Sequence, residues 1–427
     1  MDVLHVRLFD RHVGELGIEG EVRNPEDWHF RYAPDYLDAA GPVALSVSLP
    51  LRAEPFVGAA VRNWFGNLLP EGVVREAIAS RLRVPAWDDF ALLAGIGGEC
   101  AGAVSIVAAG IPPSENAASD VPTDLDALLA DAVGVAGEGS WALLGTPRRL
   151  SLAGAQDKIA VVREADGRLR LPAIGELTTH ILKPESLRLP GLRDLEALGL
   201  ALAGAIGLRV APANLVEVAG RKALLIERYD RQWLDGKPER LHQEDFCQAL
   251  GYPGELKYEA AGGPSLGRCA ELVRRQLRLG PVAVQAMLDW VVFNAVIGNA
   301  DAHAKNLALL SDREGRRRLA PFYDLVPTIA IPGHLVERQP ALRIGGSERI
   351  DHVTADDWRA FAKAAGYAPG FVLKRVASIA QAVGERMDDV VAMLAGQGAN
   401  DAHMQQTVDV LKEQLQRSVG LATGLKT

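Results

Sequence analysis

An α+β fold is predicted by three features of the 427-residue sequence. The chain opens on the alternation Val3-Leu4-His5-Val6-Arg7-Leu8-Phe9, which has the two-residue period of a half-buried strand. Short β-type runs recur between about residues 150 and 230. From about residue 240 onward the apolar residues are spaced mainly as helices require. Strands and helices therefore occupy separate stretches, as in α+β chains, and do not alternate as in a parallel α/β sheet.

Composition sets the outer limits. Hydrophobic residues make up 48% and charged residues 23%, ordinary values for a chain with a packed core. At roughly 100–200 residues per domain the length suits two to four domains. The balance of 46 Lys+Arg against 54 Asp+Glu argues against a dedicated polyanion binder, which needs clustered cations, but permits one nucleotide. Cys100, Cys247 and Cys269 form no CxxC pair, so neither a disulfide framework nor a cysteine zinc site is indicated. The start has no basic segment followed by an apolar one, and the longest apolar stretch, Ala197 to Leu208, falls short of the roughly 20 residues that span a bilayer. A cytoplasmic globular protein with no membrane contact is expected.

The elements follow in order. Residues 1–107 are expected to form a β-rich subdomain, with a hairpin turning between Gly14 and Gly20. Helices follow at Ala59–Leu69 and Gly72–Leu82, separated at Pro70, and a strand at Gly102–Val107. Residues 108–123 carry three prolines and little apolar periodicity and are expected to be a linker. Residues 124–240 should hold strand–turn–strand, a strand ending at Lys183, a helix from about Asp194 to Gly207, and two more strands. Residues 241–427 should be mainly helical, with short strands and loops near 299–345 and a tail helix whose stripe Val408, Leu411, Leu415 and Val419 faces a core.

The chemistry is expected between a helix opening at Pro281 and closing at Gly298 and an apolar strand at Leu307–Leu310. The polar loop between them, Asn299-Ala300-Asp301-Ala302-His303-Ala304-Lys305-Asn306, is held at both ends by regular structure, where functional groups tend to sit. Asp301 and Asn306 are five apart, the spacing of catalytic Asp and metal-binding Asn in kinase catalytic loops. Eighteen residues on, Leu319-Ala320-Pro321-Phe322-Tyr323-Asp324 is expected to be a second strand carrying Asp324 back to the same place. Phosphoryl transfer needs a carboxylate to accept the hydroxyl proton and oxygen ligands for Mg²⁺. The spacing alone equally describes an Asp/Asn-rich turn. Upstream, Thr179-His180-Ile181-Leu182-Lys183 offers a strand lysine, Ser151-Leu152-Ala153-Gly154-Ala155-Gln156-Asp157-Lys158 a small-residue loop, and Leu224 to Arg231 an apolar strand running into charge. A lysine strand, a helix containing Glu196, a hinge, a catalytic loop and a metal aspartate come in the order of kinase parts.

These segments, with Gln243-Glu-Asp-Phe-Cys-Gln-Ala-Leu-Gly251 and Asn67-Leu-Leu-Pro-Glu-Gly72, resemble the HipA family of serine/threonine kinases, toxins of HipBA-type toxin–antitoxin systems. The resemblance covers nearly the whole chain. It implies a bilobal protein-kinase-like fold, with residues 1–107 as an N-terminal β-rich subdomain, 124–240 as the N-lobe and 241–427 as the helical C-lobe. It implies ATP and Mg²⁺, with Asp301 as catalytic base and Asn306 and Asp324 as metal ligands. Lys183 would hold the α/β-phosphates, and Ala153, Gly154, Ala155, Gln156, Asp157 and Lys158 the phosphate loop. Glu227, Arg228 and Tyr229 would form the adenine hinge, with Asp230 near the ribose. His303, Ala304, Lys305 and Tyr323 would line the nucleotide, and Ser151 falls where the family autophosphorylates. The implied partners are a HipB-like helix-turn-helix antitoxin, operator DNA chiefly through it, and a protein substrate such as an aminoacyl-tRNA synthetase. Three departures are visible: His242 stands where a proline is common, Asp157 stands where some relatives carry Glu, and Asp324-Leu325-Val326 is not D-F-G. Rival readings are a non-enzymatic corepressor, a small-molecule kinase, and, ranked low, a metal-dependent phosphohydrolase using Asp301, His303, His180 and Asp324.

Overall fold

The opening alternation forms β1 (Val3–Leu8), which pairs antiparallel with β2 (Arg11–Ile18) in a computed structural model that describes residues 3–108, 124–126, 129, 140–145, 151–173 and 175–423. The turn falls at Phe9-Asp10, whose φ values of 50° and 65° suit a two-residue hairpin, and not at Gly14–Gly20 as expected. Gly14 lies inside β2 for a different reason: a Cβ there would sit 2.2 Å from the Arg31 carbonyl oxygen of the neighbouring strand. That strand is β3 (Trp28–Tyr32), and with β4 (Phe56–Val57) and β5 (Val104–Ala108) the sheet runs β4-β3-β2-β1-β5. Helices Ala59–Gly66 and Gly72–Leu82 follow β4, and Trp28, Phe30, Tyr32, Trp64 and Phe65 fill the core. Apart from Ala108, the expected linker lies outside the described residues.

A second sheet has the order β7-β6-β8-β10-β9, comprising β6 (Ile159–Arg163), β7 (Leu169–Arg170), β8 (His180–Pro184), β9 (Ala213–Val218) and β10 (Arg221–Glu227). The hairpin β11 (Arg231–Leu234) and β12 (Lys237–Arg240) follows. Then β13 (His242–Asp245) pairs with β14 (Ala308–Ser311), which starts one residue past the expected Leu307.

Packing divides the chain into two compact units. One comprises Met1–Leu187, Glu217–Gly254 and Ala308–Arg317; the other comprises Arg188–Val216, Glu255–Leu307 and Arg318–Thr427. In the second unit the helix Pro369–Gly396 packs against Leu192–Ala205, Gly280–Val296 and Asp401–Thr423. It buries Val372, Val376, Ile379, Val383, Met387, Val390 and Leu394, spaced by three and four residues as an amphipathic helix requires. Val408, Leu411 and Leu415 of the tail helix are buried, as their spacing predicts.

One expected strand is shorter than foreseen. β15 (Arg317–Leu319) stops five residues before Asp324, because Pro321 has no N–H to continue a ladder. Phe322 instead makes an isolated parallel bridge with Val210, and Asp324 follows in irregular backbone.

Candidate active site

The second unit builds its polar loop on the buried end of the helix Gly280–Val296, every residue of which is enclosed from Met287 onward. Gly298 turns the chain out of that helix at φ 67°, and a Cβ there would meet Ile329 at 2.6 Å. Asn299, only 2% exposed, then joins three segments. Its Nδ2 donates to Asn294 Oδ1 (2.7 Å) and to the Asp324 carbonyl (3.5 Å), while its Oδ1 accepts the Asp301 N–H (3.1 Å). One amide thus ties the helix, the loop and the Asp324 segment together. Thr328 adds a second tie, donating to the Gly298 carbonyl (3.1 Å) and accepting the Ala300 N–H (2.8 Å).

Within the loop, Asn306 Nδ2 donates to the Asp301 carbonyl at 3.1 Å. The amide nitrogen is thereby committed inward, and the amide oxygen remains as a hard donor. Asp324 adopts φ 57°, the left-handed region that an Asp tolerates at a cost and that clusters at functional sites. Its neighbour Leu325 is fixed from below: a Cβ on Gly199 of the helix Leu192–Ala205 would lie 1.7 Å from the Leu325 carbonyl, so only glycine permits that approach. His303, Ala304 and Lys305 are buried, with Tyr323 Oη donating to the Lys305 carbonyl. Asp301 is exposed, and its Oδ1 accepts the Tyr258 hydroxyl at 2.9 Å.

The first unit carries the other expected residues. Lys183 lies on β8 opposite Leu224 of β10 and is buried. The small-residue loop is pinned to the β-rich part of the same unit. Ser151 is fully enclosed, its Oγ donating to the Leu68 carbonyl (2.8 Å) and its N–H to the Glu99 carbonyl (2.9 Å). Gly154, at φ 107°, bridges Pro70 and accepts the Glu71 N–H at 3.0 Å. Lys158 Nζ donates to the Ala153 carbonyl, and the Asp157 carboxylate accepts the N–H groups of Trp141 and Ala142. The two charged side chains of this loop therefore fasten the protein's own backbone. Gln156 is half-buried and Ala155 exposed.

The end of β10 departs most from expectation. Asp230, expected beside a ribose, is enclosed between Arg228 (2.7 Å) and Arg231 (3.2 Å) and accepts the Gly102 N–H at 2.6 Å. Arg228 and Arg231 also reach Glu99, at 3.3 and 2.6 Å, and Glu99 accepts the Thr178 hydroxyl at 2.8 Å. Burial alone would raise both carboxyl pKa values, but the guanidinium groups overcome it and hold Glu99 and Asp230 below the usual range. Burial, reinforced by Arg228, pushes Arg231 down to about 10. The side chains of Arg228 and Asp230 thus fasten the end of β10, whose last residue is Glu227, to Glu99–Gly102.

Sequence reasoning missed Asn299, Tyr258 and Glu99. Asn299 was legible as the first polar residue after a helix-ending glycine. Tyr258 and Glu99 meet Asp301 and Arg228 across 43 and 129 residues, and no local pattern signals that.

The HipA-like C-terminal domain model matches residues 150–392 and the HipA N-terminal domain model residues 4–107. The chain belongs to the HipA family and is a serine/threonine kinase with an α+β, kinase-like fold. Among its relatives, Y4mE of Sinorhizobium fredii, named as a kinase, is 42% identical over 376 residues, 86% of this chain and 87% of that protein. The serine/threonine-protein kinase toxin HipA of Shewanella oneidensis is 29% identical over 411 residues, 92% of this chain and 90% of that one. The solved structure of Shewanella oneidensis HipA with HipB and operator DNA superposes with a TM-score of 0.81 at 26% identity, covering 99% of this chain and all of that one. No helix among the described residues is long and apolar enough to cross a membrane.

Proposed function

We propose that this kinase uses ATP and Mg²⁺ to phosphorylate a serine or threonine of a translation component, an aminoacyl-tRNA synthetase being the expected class, and acts as the toxin of a toxin–antitoxin pair. The observation that carries the phosphoryl-transfer reading is the joint anchoring of Asp301, Asn306 and Asp324 by Asn299 and Asn306. Two carboxylates and an amide oxygen are hard donors that suit Mg²⁺ better than a transition metal, which favours imidazole. Bound there, the Mg²⁺-nucleotide would supply the transferable phosphoryl group and neutralise its charge.

The residues divide the remaining work. Asp301 accepts the substrate hydroxyl proton, Asn306 and Asp324 supply metal-ligand oxygens, and Lys183 pairs with the α/β-phosphates. The Glu227–Tyr229 backbone faces the adenine. Residues 153–158 approach the phosphates through backbone N–H groups, since Asp157 and Lys158 are engaged with the protein itself. His303, Ala304, Lys305 and Tyr323 shape the nucleotide side of the loop.

Ser151 supports self-inactivation. The residue is enclosed, its hydroxyl donating to the Leu68 carbonyl and its N–H to the Glu99 carbonyl, so phosphorylation requires the loop to leave that seat. A phosphate carrying roughly −2 charge cannot return among carbonyl oxygens, nor share a site with ATP phosphates. A HipB-like helix-turn-helix partner, which accompanies the Shewanella oneidensis HipA on operator DNA, would supply the cations that a net charge of −8 does not.

The test is incubation of the protein with γ-labelled Mg·ATP and host lysate, followed by identification of the labelled species. A labelled protein, and label on Ser151 that disappears in Ser151→Ala, support the reading. A labelled metabolite with no labelled protein would replace it with a small-molecule kinase.

A further inference from the structure

We infer that Tyr258 is a positioning residue for phosphoryl transfer: its hydroxyl donates to Oδ1 of the Asp301 carboxylate and orients that carboxylate for the substrate hydroxyl. The inference rests on the reading of Asp301 as the base and adds to it a residue that no motif places there.

The contact is built, not incidental. Tyr258 belongs to an irregular stretch between the short helices Gly254–Leu256 and Glu259–Ala261, and a glycine pair closes it. Gly262 adopts φ 94°, and the Gly263 N–H returns to the Tyr258 carbonyl at 3.0 Å. A Cβ on Gly263 would lie 2.0 Å from the Leu256 carbonyl, so the tight return requires glycine. The stretch is then sewn to the catalytic loop through a third strip of backbone. The Glu259 N–H donates to the Ala341 carbonyl (2.8 Å), and the Ala341 N–H donates to the Ala300 carbonyl (2.7 Å). Glu259 Oε2 accepts the Arg343 N–H at 2.7 Å, which uses that carboxylate away from Asp301.

The side chain is held as firmly as its backbone. The Tyr258 ring packs edge-on against His303, with centroids 5.5 Å apart, and the Lys257 ammonium lies 5.5 Å from its centroid. Beside this pair lie His303 from the catalytic loop and Lys257 from the same stretch, and Glu259 is bound to backbone. A phenol is the right donor for the task. It is neutral and donates one hydrogen bond, so it orients a carboxylate without the charge compensation that would abolish its basicity. Asp301 takes the hydroxyl proton as the substrate oxygen bonds to phosphorus and the bond to the departing nucleoside diphosphate breaks, and fixed orientation at that moment is what positioning contributes.

The test compares the intact chain with Tyr258→Phe, Tyr258→Ala and Asp301→Asn, reading initial incorporation of label from γ-labelled Mg·ATP over a range of ATP concentrations, with thermal unfolding in parallel. The Phe variant keeps the ring packing and loses only the O–H. It should show the wild-type unfolding midpoint, a KM for ATP within about twofold, and kcat reduced about tenfold, the scale of one hydrogen bond to a charged group. The Ala variant, without the ring, should lose more activity and some thermal stability. A Phe variant with the wild-type kcat overturns the inference. So does one whose kcat falls only together with its unfolding midpoint or with a weakened KM for ATP, since that is loss of structure and not of the hydrogen bond. An active Asp301→Asn variant removes the base itself; an inactive one beside an unaffected Phe variant leaves the base standing and rejects Tyr258.

Discussion

At the end of β10, Glu99, Arg228, Asp230 and Arg231 are buried together, each carboxylate answered by two guanidinium groups. Around Asp301 several backbone groups are held by neutral buried side chains, the amides of Asn299 and Asn306 and the hydroxyl of Thr328. The two aspartates consequently differ in kind. Asp230 is held ionised by its partners and cannot take up a proton near neutral pH. Asp301 is exposed and its Oδ1 accepts the Tyr258 hydroxyl, so it is open to a substrate as Asp230 is not.

The sharpest way to break this comparison is to exchange carboxylate for carboxamide at both aspartates. At Asp301 the expected loss is chemical: Asp301→Asn should lower phosphoryl transfer by about 10³-fold, within the range of removing a general base, and leave the unfolding midpoint unchanged. Single-turnover kinetics and calorimetry check the two halves. Retained turnover would move the base elsewhere.

At Asp230 the expected loss is structural. Asp230→Asn leaves Arg228 and Arg231 buried with one carboxylate between them, and breaking such a set by removing one partner costs about 3–5 kcal/mol. Urea unfolding should show that loss, with nucleotide affinity changing only through the folded fraction. A stable variant that loses ATP binding would restore Asp230 to the ribose.

The same contrast explains what the sequence could and could not tell. The strand, helix and loop order was legible because periodicity and glycine or proline punctuation are local, as for the helix ending at Gly298 and the tail stripe at Val408, Leu411 and Leu415. The hairpin turn was misplaced because Gly14 looks like a turn residue yet serves the close approach of β3. The strand toward Asp324 ends early, at Leu319, because Pro321 cannot continue a ladder. Asp301, Asn306 and Asp324 could be picked out by type and spacing, but the charged network could not. Glu99 and Asp230 are ordinary carboxylates in sequence, and only the fold shows them saturated by arginines.

A smaller effect is expected where a neutral dipole is removed. Asn299→Ala deletes three hydrogen bonds from a buried site and leaves their partners unsatisfied, a loss of about 1–3 kcal/mol. Because the amide joins Asp301 to the Asp324 segment, kcat should fall while the KM for a peptide or protein acceptor stays within about twofold, the pattern of an interaction made in the transition state. An Asn299→Ala variant that is less stable yet has the wild-type kcat would reduce Asn299 to packing.

The last case lies between the two regimes, since Glu244 is a buried carboxylate held mainly by neutral groups. It accepts the Ser46 hydroxyl (2.5 Å) and the Val47 N–H (3.1 Å), and burial, aided by Asp245, pushes its carboxyl up to about 7 despite Arg317 and those hydrogen bonds. The sign of the pH dependence follows from this shift. Below about 4.5, the ordinary value, the group is protonated in both folded and unfolded chains and contributes nothing. Between there and about 7 the unfolded chain releases its proton while the folded chain retains it, so stability falls as pH rises, by up to about 3 kcal/mol, and the deficit is constant above. His242, two residues away, acts oppositely: burial lowers it to about 4, so its contribution is lost as pH falls from 6.5 toward that value. Glu244→Gln removes only the first of these. Whatever the amide costs in packing is independent of pH and cancels when the variant is compared with wild type at two pH values. Measured by urea unfolding, the variant should gain on wild type by about 1–3 kcal/mol between pH 5 and pH 8. A difference no larger at pH 8 than at pH 5 would mean that Glu244 is ionised throughout, and that neutral dipoles in this fold can hold a buried charge as well as arginines do.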